Sequence, residues 1–143
     1  MNTITIGKVV SEREKHQWDG WQEFVSEIHI LPEYEAGLEG LEAYSHLVVV
    51  HAMDSKGKVN LKVTPQGKPT SPRVGLFASR CMWRPTPIGV TTVRLLRVKK
   101  NVLEVKGLDA IDGTEIFDIK PYLPQYDAAD DCHCPSWVDN LEY

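Results

Sequence analysis

The chain has 143 residues, of which 42% are hydrophobic and 25% are charged, a composition typical of one soluble globular domain. No apolar run approaches the roughly 20 residues that a membrane-spanning helix needs, and residues 1–10 alternate instead of forming the apolar block of a signal peptide. We therefore expect a single cytoplasmic domain over residues 1–143, with no membrane contact and with its three cysteines reduced.

The net charge of −4 hides a segregation of charge along the chain. Residues 56–106 hold twelve Lys and Arg and a single acid, whereas residues 1–55 hold three bases and ten acids, and residues 107–143 hold one base and nine acids. In one interpretation, acidic and basic strands pair across a sheet and neutralise each other. In the other, the basic residues form a surface for a polyanion such as RNA.

Short alternating segments separated by turn residues predict a chain built mainly of β-strands. The first part of the chain is predicted to contain strands at 3–10, 24–30, 45–53 and 74–78, a strand or an extended arm at 59–64, a short helix at 31–41 and a loop at 65–72. The second part is predicted to contain a hairpin of 90–98 and 102–108, a turn at 112–113, a strand at 115–119 and one or two helical turns at 135–142.

Many short strands, with a turn about every ten residues, favour an all-β, mainly antiparallel fold. We predict a small single-domain β-barrel or sandwich with a short helix, a core at about residues 1–124 and an irregular C-terminal tail at 125–143. No GxGxxG motif opens a helix, so a Rossmann-type nucleotide site is not expected.

Residues 75–89, GLFASRCMWRPTPIG, form the segment that is hardest to explain as ordinary core. Arg80 and Arg84 flank Trp83, and two prolines then stiffen the backbone. Guanidinium groups suit carboxylates and phosphates, and the rings of Trp83 and Phe77 offer flat faces to an adenine or a cation. A structural alternative pairs an arginine with a core acid, but the rigid backbone favours a ligand site.

Residues 109–122, DAIDGTEIFDIKPY, form a second cluster of candidate site residues. The Asp112-Gly113-Thr114 turn is predicted to offer backbone N–H groups to an adenine edge or a carboxylate. Asp118 and Lys120 alternate with apolar residues and therefore share one strand face. Asp118 is a candidate to accept a proton or to hold one of the two arginines, and the alternative is a structural ion pair.

The remaining histidines and cysteines give weaker signals. Ser45-His46 precedes the buried strand, where a hydrogen-bonded structural role is the simpler interpretation. Cys132-His133-Cys134 resembles half of a zinc site, but Cys81 is the only other cysteine, so we predict no metal site.

Three stretches resemble the TsaA-like family of S-adenosylmethionine-dependent methyltransferases. Residues 77–89 match the family pattern FATRSPFRPNPIG, residues 108–122 match LDxxDGTPVxDIKPY, and residues 40–47 match GLEGFSHL. The resemblance implies a small β-barrel that binds S-adenosylmethionine, usually as a homodimer with sites near the subunit interface. It also implies N-methylation of threonylcarbamoyl-modified adenosine beside the tRNA anticodon, with the anticodon loop of tRNA as partner.

Site residues follow from the resemblance position by position. The implied cofactor contacts are Lys15, His16, Gln17, Asp54, Ser55, Phe77, Arg80, Val90 through its backbone, Ile111, Asp112, Gly113 and Thr114. Asp118 and Arg84 are the predicted catalytic residues, and Asp118, Asp112 or water takes the proton that the acceptor nitrogen loses. Two other functions stay open: a regulatory module that binds S-adenosylmethionine or a nucleotide without catalysis, and a methyltransferase for a small molecule.

Overall fold

The computed structural model describes residues 2–17, 19–54 and 56–142. Its eight strands are β1 (Gly7–Val10), β2 (Val25–Ile30), β3 (His46–Ala52), β4 (Lys62–Val63), β5 (Val74–Gly75), β6 (Ile88–Lys99), β7 (Val102–Lys106) and β8 (Glu115–Pro121). Six of them close into an antiparallel barrel in the order β1-β2-β7-β6-β3-β8, and β4 pairs with β5 in a separate two-stranded sheet. The predicted mainly antiparallel all-β barrel is confirmed.

Alternation along each strand fills the barrel interior. The strands β3 and β7 bury every second residue, and β6 does so up to Val93, as a sheet with one face on the core requires. Ten fully buried aliphatic side chains belong to one cluster: Val9, Ile28, Ile30, Leu47, Val49, Val93, Leu103, Val105, Leu108 and Ile116. Leu76, in the loop before β6, is buried outside this cluster. Each such side chain contributes roughly 1.5–3 kcal/mol to folding.

The helical segments differ from their predictions. The segment predicted as one short helix forms two 3₁₀ helices, Pro32–Leu38 and Leu41–Ala43, because Gly40 takes a left-handed conformation at φ 85° between them. The predicted helical turn near the C-terminus is present at Ser136–Asn140. One α-helical turn, α1 (Pro124–Asp127), lies where the sequence indicated irregular structure. None of the described helices is long and apolar enough to cross a bilayer.

Several strands are shorter than predicted. The first begins at Gly7 rather than at residue 3, and the segment at 74–78 is extended only over β5 before a 3₁₀ helix at Leu76–Ala78. The segment at 59–64 pairs only over β4, so the alternative of an extended arm is the better description. The hairpin of β6 and β7 has its predicted turn at residues 100–101.

Candidate functional site

The register of the barrel brings the predicted site segments to one end. Ala52, the last residue of β3, pairs with Ile88, the first residue of β6, and Lys8 near the end of β1 pairs with Glu115, the first residue of β8. Val25, the first residue of β2, pairs with the last residue of β7. The connections 11–24, 53–87 and 107–114 therefore all leave the barrel at this end, which we call the site end.

The barrel interior changes from aliphatic to polar at the site end. Ser26, His51 and Thr91 face inward there and are buried. His51 Nδ1 donates to the Ala52 carbonyl at 2.8 Å, and its Nε2 accepts from the Thr91 hydroxyl at 3.0 Å. Burial lowers the pKa of His51, and His16 lowers it further, while the Ala52 carbonyl and Asp109 act to raise it.

Gly89 allows this arrangement. A Cβ atom at Gly89 would lie 2.3 Å from Cε1 of His51, so only glycine lets β6 pass so close to the ring. The sequence indicated only that this glycine releases the backbone after the prolines. Its packing role becomes visible only with β3 beside it.

Arg13 closes the site end as a buried cation. Its side chain is 4% exposed, and its guanidinium donates to Asp109 Oδ1 at 3.3 and 3.4 Å and to the Gln17 carbonyl at 3.0 Å. Among the described residues, no acceptor meets its Nε. Arg13 thus joins the 11–17 loop to the segment that follows β7.

The Asp112-Gly113 turn has the predicted geometry but not the predicted free donors. The Asp112 N–H donates to the Arg13 carbonyl at 2.8 Å and the Gly113 N–H to the Val9 carbonyl at 2.9 Å, while the Thr114 N–H and hydroxyl both donate to the Ile111 carbonyl. In the structure these amides are therefore bonded to backbone carbonyls, and their contact with a ligand stays a prediction. What the turn offers is acceptors, because within the described ranges only one carboxylate oxygen of Asp112 is bonded, to the N–H of Ser11.

Arg84 organises the loop before β6 instead of pointing at an acid. Its Nη1 donates to the carbonyls of Ser79 at 3.0 Å, Cys81 at 3.2 Å and Leu76 at 3.5 Å. Its guanidinium also lies 5.7 Å from the centre of the Phe77 ring, which is 76% exposed. Among the described residues no acid pairs with it, so the structural alternative of a core ion pair is wrong for Arg84.

Two predicted cofactor residues meet directly in the same segment. Nη2 of Arg80, an exposed side chain, lies 3.4 Å from the Val90 carbonyl. Trp83 packs flat against the backbone of Gly57, where a Cβ would lie 2.2 Å from the indole. The loop is thus anchored both to β6 and to the segment that follows β3.

The other predicted cofactor residues line the rim of the site end. Lys15, His16 and Gln17 are exposed, and an open groove of about 270 Å³ borders Lys15, Gln17 and Arg13. Asp54 is half-buried and accepts from the Lys56 N–H at 2.9 Å. Ser55 lies outside the described residues. A larger groove of about 340 Å³ is at the opposite end, beside the β6–β7 hairpin, and contains none of the predicted residues.

Asp118 lies on the outer face of the barrel. It shares that face with Lys120, as predicted, and the two side chains pair at 2.5 Å, which raises the pKa of Lys120. Asp118 therefore holds Lys120 rather than either arginine. The strand register pairs Asp118 of β8 with Val50 of β3, and Val50 with Val90 of β6, so the three residues form one row across the outer face. Asp118 is thus two strands away from the Val90 carbonyl that Arg80 contacts.

The Ser45 and His46 side chains are hydrogen-bonded at 2.7 Å, at the end of the barrel opposite the site. Cys132 and Cys134 are exposed and unpaired, and the described part of the chain contains no group of three or more side chains placed to hold a metal ion.

Sequence reasoning missed four residues of the site end: Arg13, His51, Thr91 and Asp109. The alternation along the predicted strands 45–53 and 90–98 gives a usable signal for two of them, because it places His51 in phase with Leu47 and Val49, and Thr91 in phase with Val93, inside the barrel. Arg13 and Asp109 are 96 residues apart, and no local pattern links them.

The chain is similar in sequence and in fold to proteins whose names state a ligand or a reaction. It is 44% identical over 103 residues to an S-adenosyl-L-methionine-binding protein of Archaeoglobus fulgidus, which covers 72% of this chain and 73% of that protein. It is 37% identical over 106 residues to the tRNA (adenine(37)-N6)-methyltransferase of Escherichia coli, which covers 68% of this chain and 45% of the enzyme. A crystal structure of TrmO from Pseudomonas aeruginosa superposes with a TM-score of 0.73 at 28% identity, over 93% of this chain and 60% of that one.

The chain thus spans less than two thirds of the solved TrmO chain and less than half of the Escherichia coli enzyme. The family model of the tRNA-methyltransferase O N-terminal domain matches residues 13–128, which include the candidate site segment 75–89 and the Asp112-Gly113 turn. With most of its length matched, the chain belongs to the family of the tRNA-methyltransferase O N-terminal domain, as its three sequence stretches predicted.

Proposed function

We propose that this protein is an S-adenosylmethionine-dependent methyltransferase that methylates N6 of adenosine beside the tRNA anticodon, in its threonylcarbamoyl-modified form. The observation that carries the proposal is the convergence of the predicted cofactor segments at the site end of a family-typical barrel. The names of relatives support the cofactor and the reaction, since one is called an S-adenosyl-L-methionine-binding protein and another a tRNA (adenine(37)-N6)-methyltransferase.

The polar groups of the site end fit an adenosyl sulfonium compound. Ribose hydroxyls, an exocyclic amine and an ammonium group are donors, and they need acceptors such as the carboxylates of Asp112 and Asp54. The methionine carboxylate needs a cation, and Arg80 and Lys15 are exposed at this end. The exposed ring of Phe77 offers a stacking face. The bound cofactor would supply an activated methyl group on a sulfonium centre.

The task of the protein in this reaction is mostly positioning. The acceptor nitrogen must be held in line with the sulfur–methyl bond at near-attack distance. Asp118 is proposed to accept the proton that the nitrogen loses, because its carboxylate is 44% exposed and lies in the row that leads to Val90. Arg84 supports catalysis by position, since its hydrogen bonds hold the loop that carries Arg80 and Phe77.

The tRNA partner is supported by charge. Among the described bases between Lys56 and Lys106, only Lys68, Arg97 and Lys106 pair with a carboxylate. Neutralisation by carboxylates therefore accounts for a minority of these bases. Apart from Arg84, which is bonded to loop carbonyls, and Arg80, which is assigned to the cofactor, the remaining cations are available to phosphates. Affinity for RNA is therefore expected to fall as salt rises.

A homodimer fits the outer face of the barrel. Ile88 and Val90 of β6 are exposed there, beside the row of Asp118 and Val50, and Phe77 is exposed in the loop that leads into β6. A second copy that covers this face would bury apolar surface next to the cofactor residues. Sedimentation velocity is expected to give a dimer that Val90→Lys dissociates, and a monomer at all concentrations would exclude this assembly.

A second candidate is a regulatory module that binds S-adenosylmethionine without turnover. It is favoured by the name of the Archaeoglobus fulgidus relative, which specifies binding and no reaction, and by the larger share of that protein that the match covers. A methyltransferase for a small molecule is the third candidate, and its turnover would be insensitive to salt.

One experiment separates the three candidates. The protein is incubated with methyl-labelled cofactor and total tRNA, with and without threonylcarbamoylation, while calorimetry measures cofactor uptake. The proposal expects label in modified tRNA and loss of labelling in Arg80→Ala. Uptake without label in any RNA would favour the regulatory module. Full activity and affinity in Arg80→Ala would disprove the role of Arg80.

A further inference from the structure

The segment between β3 and the loop that contains Arg80 and Arg84 includes β4 and β5, and we call its residues 56–75 the basic arm. It contains no acid, and its five cations are Lys56, Lys58, Lys62, Lys68 and Arg73. Four of these are exposed, and Lys68 is partly buried. Leu61, at 68% exposure, adds an apolar contact on the same segment. Four of the five cations have no carboxylate partner among the described residues, so the arm carries a net positive charge.

One part of the chain already sits on the turn of this arm. The strap, residues 135–142, is held by Gln66, whose side-chain amide donates to the Glu142 carbonyl at 2.7 Å and accepts from the Glu142 N–H at 2.9 Å. Lys68 Nζ lies 3.1 Å from the Glu142 carboxylate and donates to the Asn140 carbonyl at 2.9 Å. All of these contacts fall on two residues of the arm.

Gln66 adopts an unusual backbone conformation in making these contacts. Its φ is +53°, a left-handed conformation that non-glycine residues rarely take. Such conformations persist where surrounding contacts hold them, and they concentrate at binding and switching sites. Here the contacts that accompany the conformation are the two hydrogen bonds to residue 142.

The strap carries charge of the opposite sign to that of the arm. Residues 121–142 contain no Lys or Arg, and the strap carries Asp139 and Glu142. On the barrel, by contrast, Arg97 and Lys106 pair with Glu104 and Glu23, which belong to the barrel wall or its rim. Among the ion pairs of the described residues, only that of Lys68 joins the arm to an acid that lies outside the strands and rim of the barrel.

We infer that the basic arm is a contact surface for RNA and that the strap covers part of it, so that RNA and strap compete for the turn of the arm. This inference rests on the proposed function, because it takes RNA as the polyanion. RNA phosphates replace the Glu142 carboxylate on Lys68 and spread to Lys62 and Arg73. The strap contact consists of solvent-accessible groups, so its release raises RNA affinity only about two- to tenfold.

Gln66→Gly is the sharpest test variant. Glycine accepts φ +53° without strain, so the turn keeps its shape while both hydrogen bonds to the strap are lost. RNA binding is measured with a fluorescent anticodon stem-loop, without cofactor, over a range of salt. We expect affinity to rise about two- to tenfold at each salt concentration, with a similar log–log salt slope, because RNA reaches Lys68 in both proteins and only the cost of displacing the strap is removed. Unchanged or lower affinity would overturn the inference.

A pair of lysine variants separates the arm from general basicity. Lys62→Ala removes an arm cation that does not touch the strap, and Lys99→Ala removes an exposed cation from the far end of the barrel. We expect Lys62→Ala to weaken binding more than Lys99→Ala and to lower the salt slope by about 1. Equal losses, or a larger loss in Lys99→Ala, would contradict the assignment of the arm.

The strap also carries its own reporter. Trp137 lies within it, and 5-fluorotryptophan NMR gives each tryptophan a separate resonance that Trp137→Phe identifies. RNA is expected to shift the Trp137 resonance toward its position in Gln66→Gly, and a resonance unmoved by saturating RNA would overturn the competition. Since none of these assays needs methyl transfer, normal competition without turnover would refute the proposed function alone.

Discussion

The ion pair between Arg13 and Asp109 predicts an unequal response to removal of either partner. The Arg13 side chain is 4% exposed, and that of Asp109 is 44% exposed. Asp109→Ala leaves a permanently charged guanidinium buried, with the Gln17 carbonyl as its remaining acceptor. Arg13→Met leaves a carboxylate that water reaches, and it also removes the buried Nε that has no acceptor among the described residues.

The magnitudes follow from this difference in burial. Stranding a buried charge costs about 3–5 kcal/mol, and we expect Asp109→Ala near the lower value because its carboxylate is half-exposed. The loss of the Arg13 hydrogen bonds, with an apolar replacement that fills the space, costs about 1–2 kcal/mol. The double variant is expected to cost less than the sum, because it strands no charge.

Urea unfolding followed by tryptophan fluorescence measures these costs. With a denaturant dependence of roughly 1–3 kcal/mol per molar urea, Asp109→Ala should lower the midpoint by about 1–3 M and Arg13→Met by about half as much. Equal midpoints for the two single variants, or a lower midpoint for Arg13→Met, would refute the reasoning from burial.

Three further predictions concern the site end and its loop. Because burial lowers the pKa of His51 from 6.5, the unfolded chain takes up this proton more readily, so stability should fall as pH drops below about 6.5, by at most ~1.4 kcal/mol per pH unit. His51→Gln should flatten that dependence in urea titrations, and an unchanged pH profile would contradict it. Gly57→Ala places a methyl group against the Trp83 indole and should cost about 1–3 kcal/mol, whereas Gly75→Ala, with open space around it, should stay within about 0.5 kcal/mol; similar thermal midpoints would count against this packing. Arg84→Lys keeps the charge but loses the planar fork, so calorimetry should find cofactor affinity reduced about as far as in Arg84→Ala, and full affinity in the lysine variant would exclude a positioning role.

The strands were predictable because each buries alternate residues. Leu47 and Val49 on β3, and Leu103 and Val105 on β7, carry a two-residue period that the sequence displays directly. The Asp112-Gly113 turn was also predictable, because Asp-Gly is a strong turn signal, and Gly113 takes the positive φ of +77° that such a turn uses. Local patterns therefore predicted most of the barrel.

The polar contacts of the site end were not predictable in the same way. Whether the amides of Asp112 and Gly113 are free depends on the carbonyls of Arg13 and Val9, which approach only after the barrel closes. Likewise, Arg84 satisfies carbonyls of its own loop, and a sequence pattern does not distinguish such a use from contact with a ligand. Family resemblance identified these residues, but the direction of each hydrogen bond required the fold.

The closure of the barrel between β1 and β8 has a consequence for its dynamics. These strands share only two register pairs, Gly7 with Ile116 and Lys8 with Glu115, whereas β3 and β6 share seven. The seam is therefore the junction where breathing of the barrel requires the fewest broken bonds. Because the 11–17 loop and the Asp112-Gly113 turn extend directly from it, whatever binds across that loop and turn would also lock the seam, and amide protons of Val9 and Gly113 would exchange more slowly on binding.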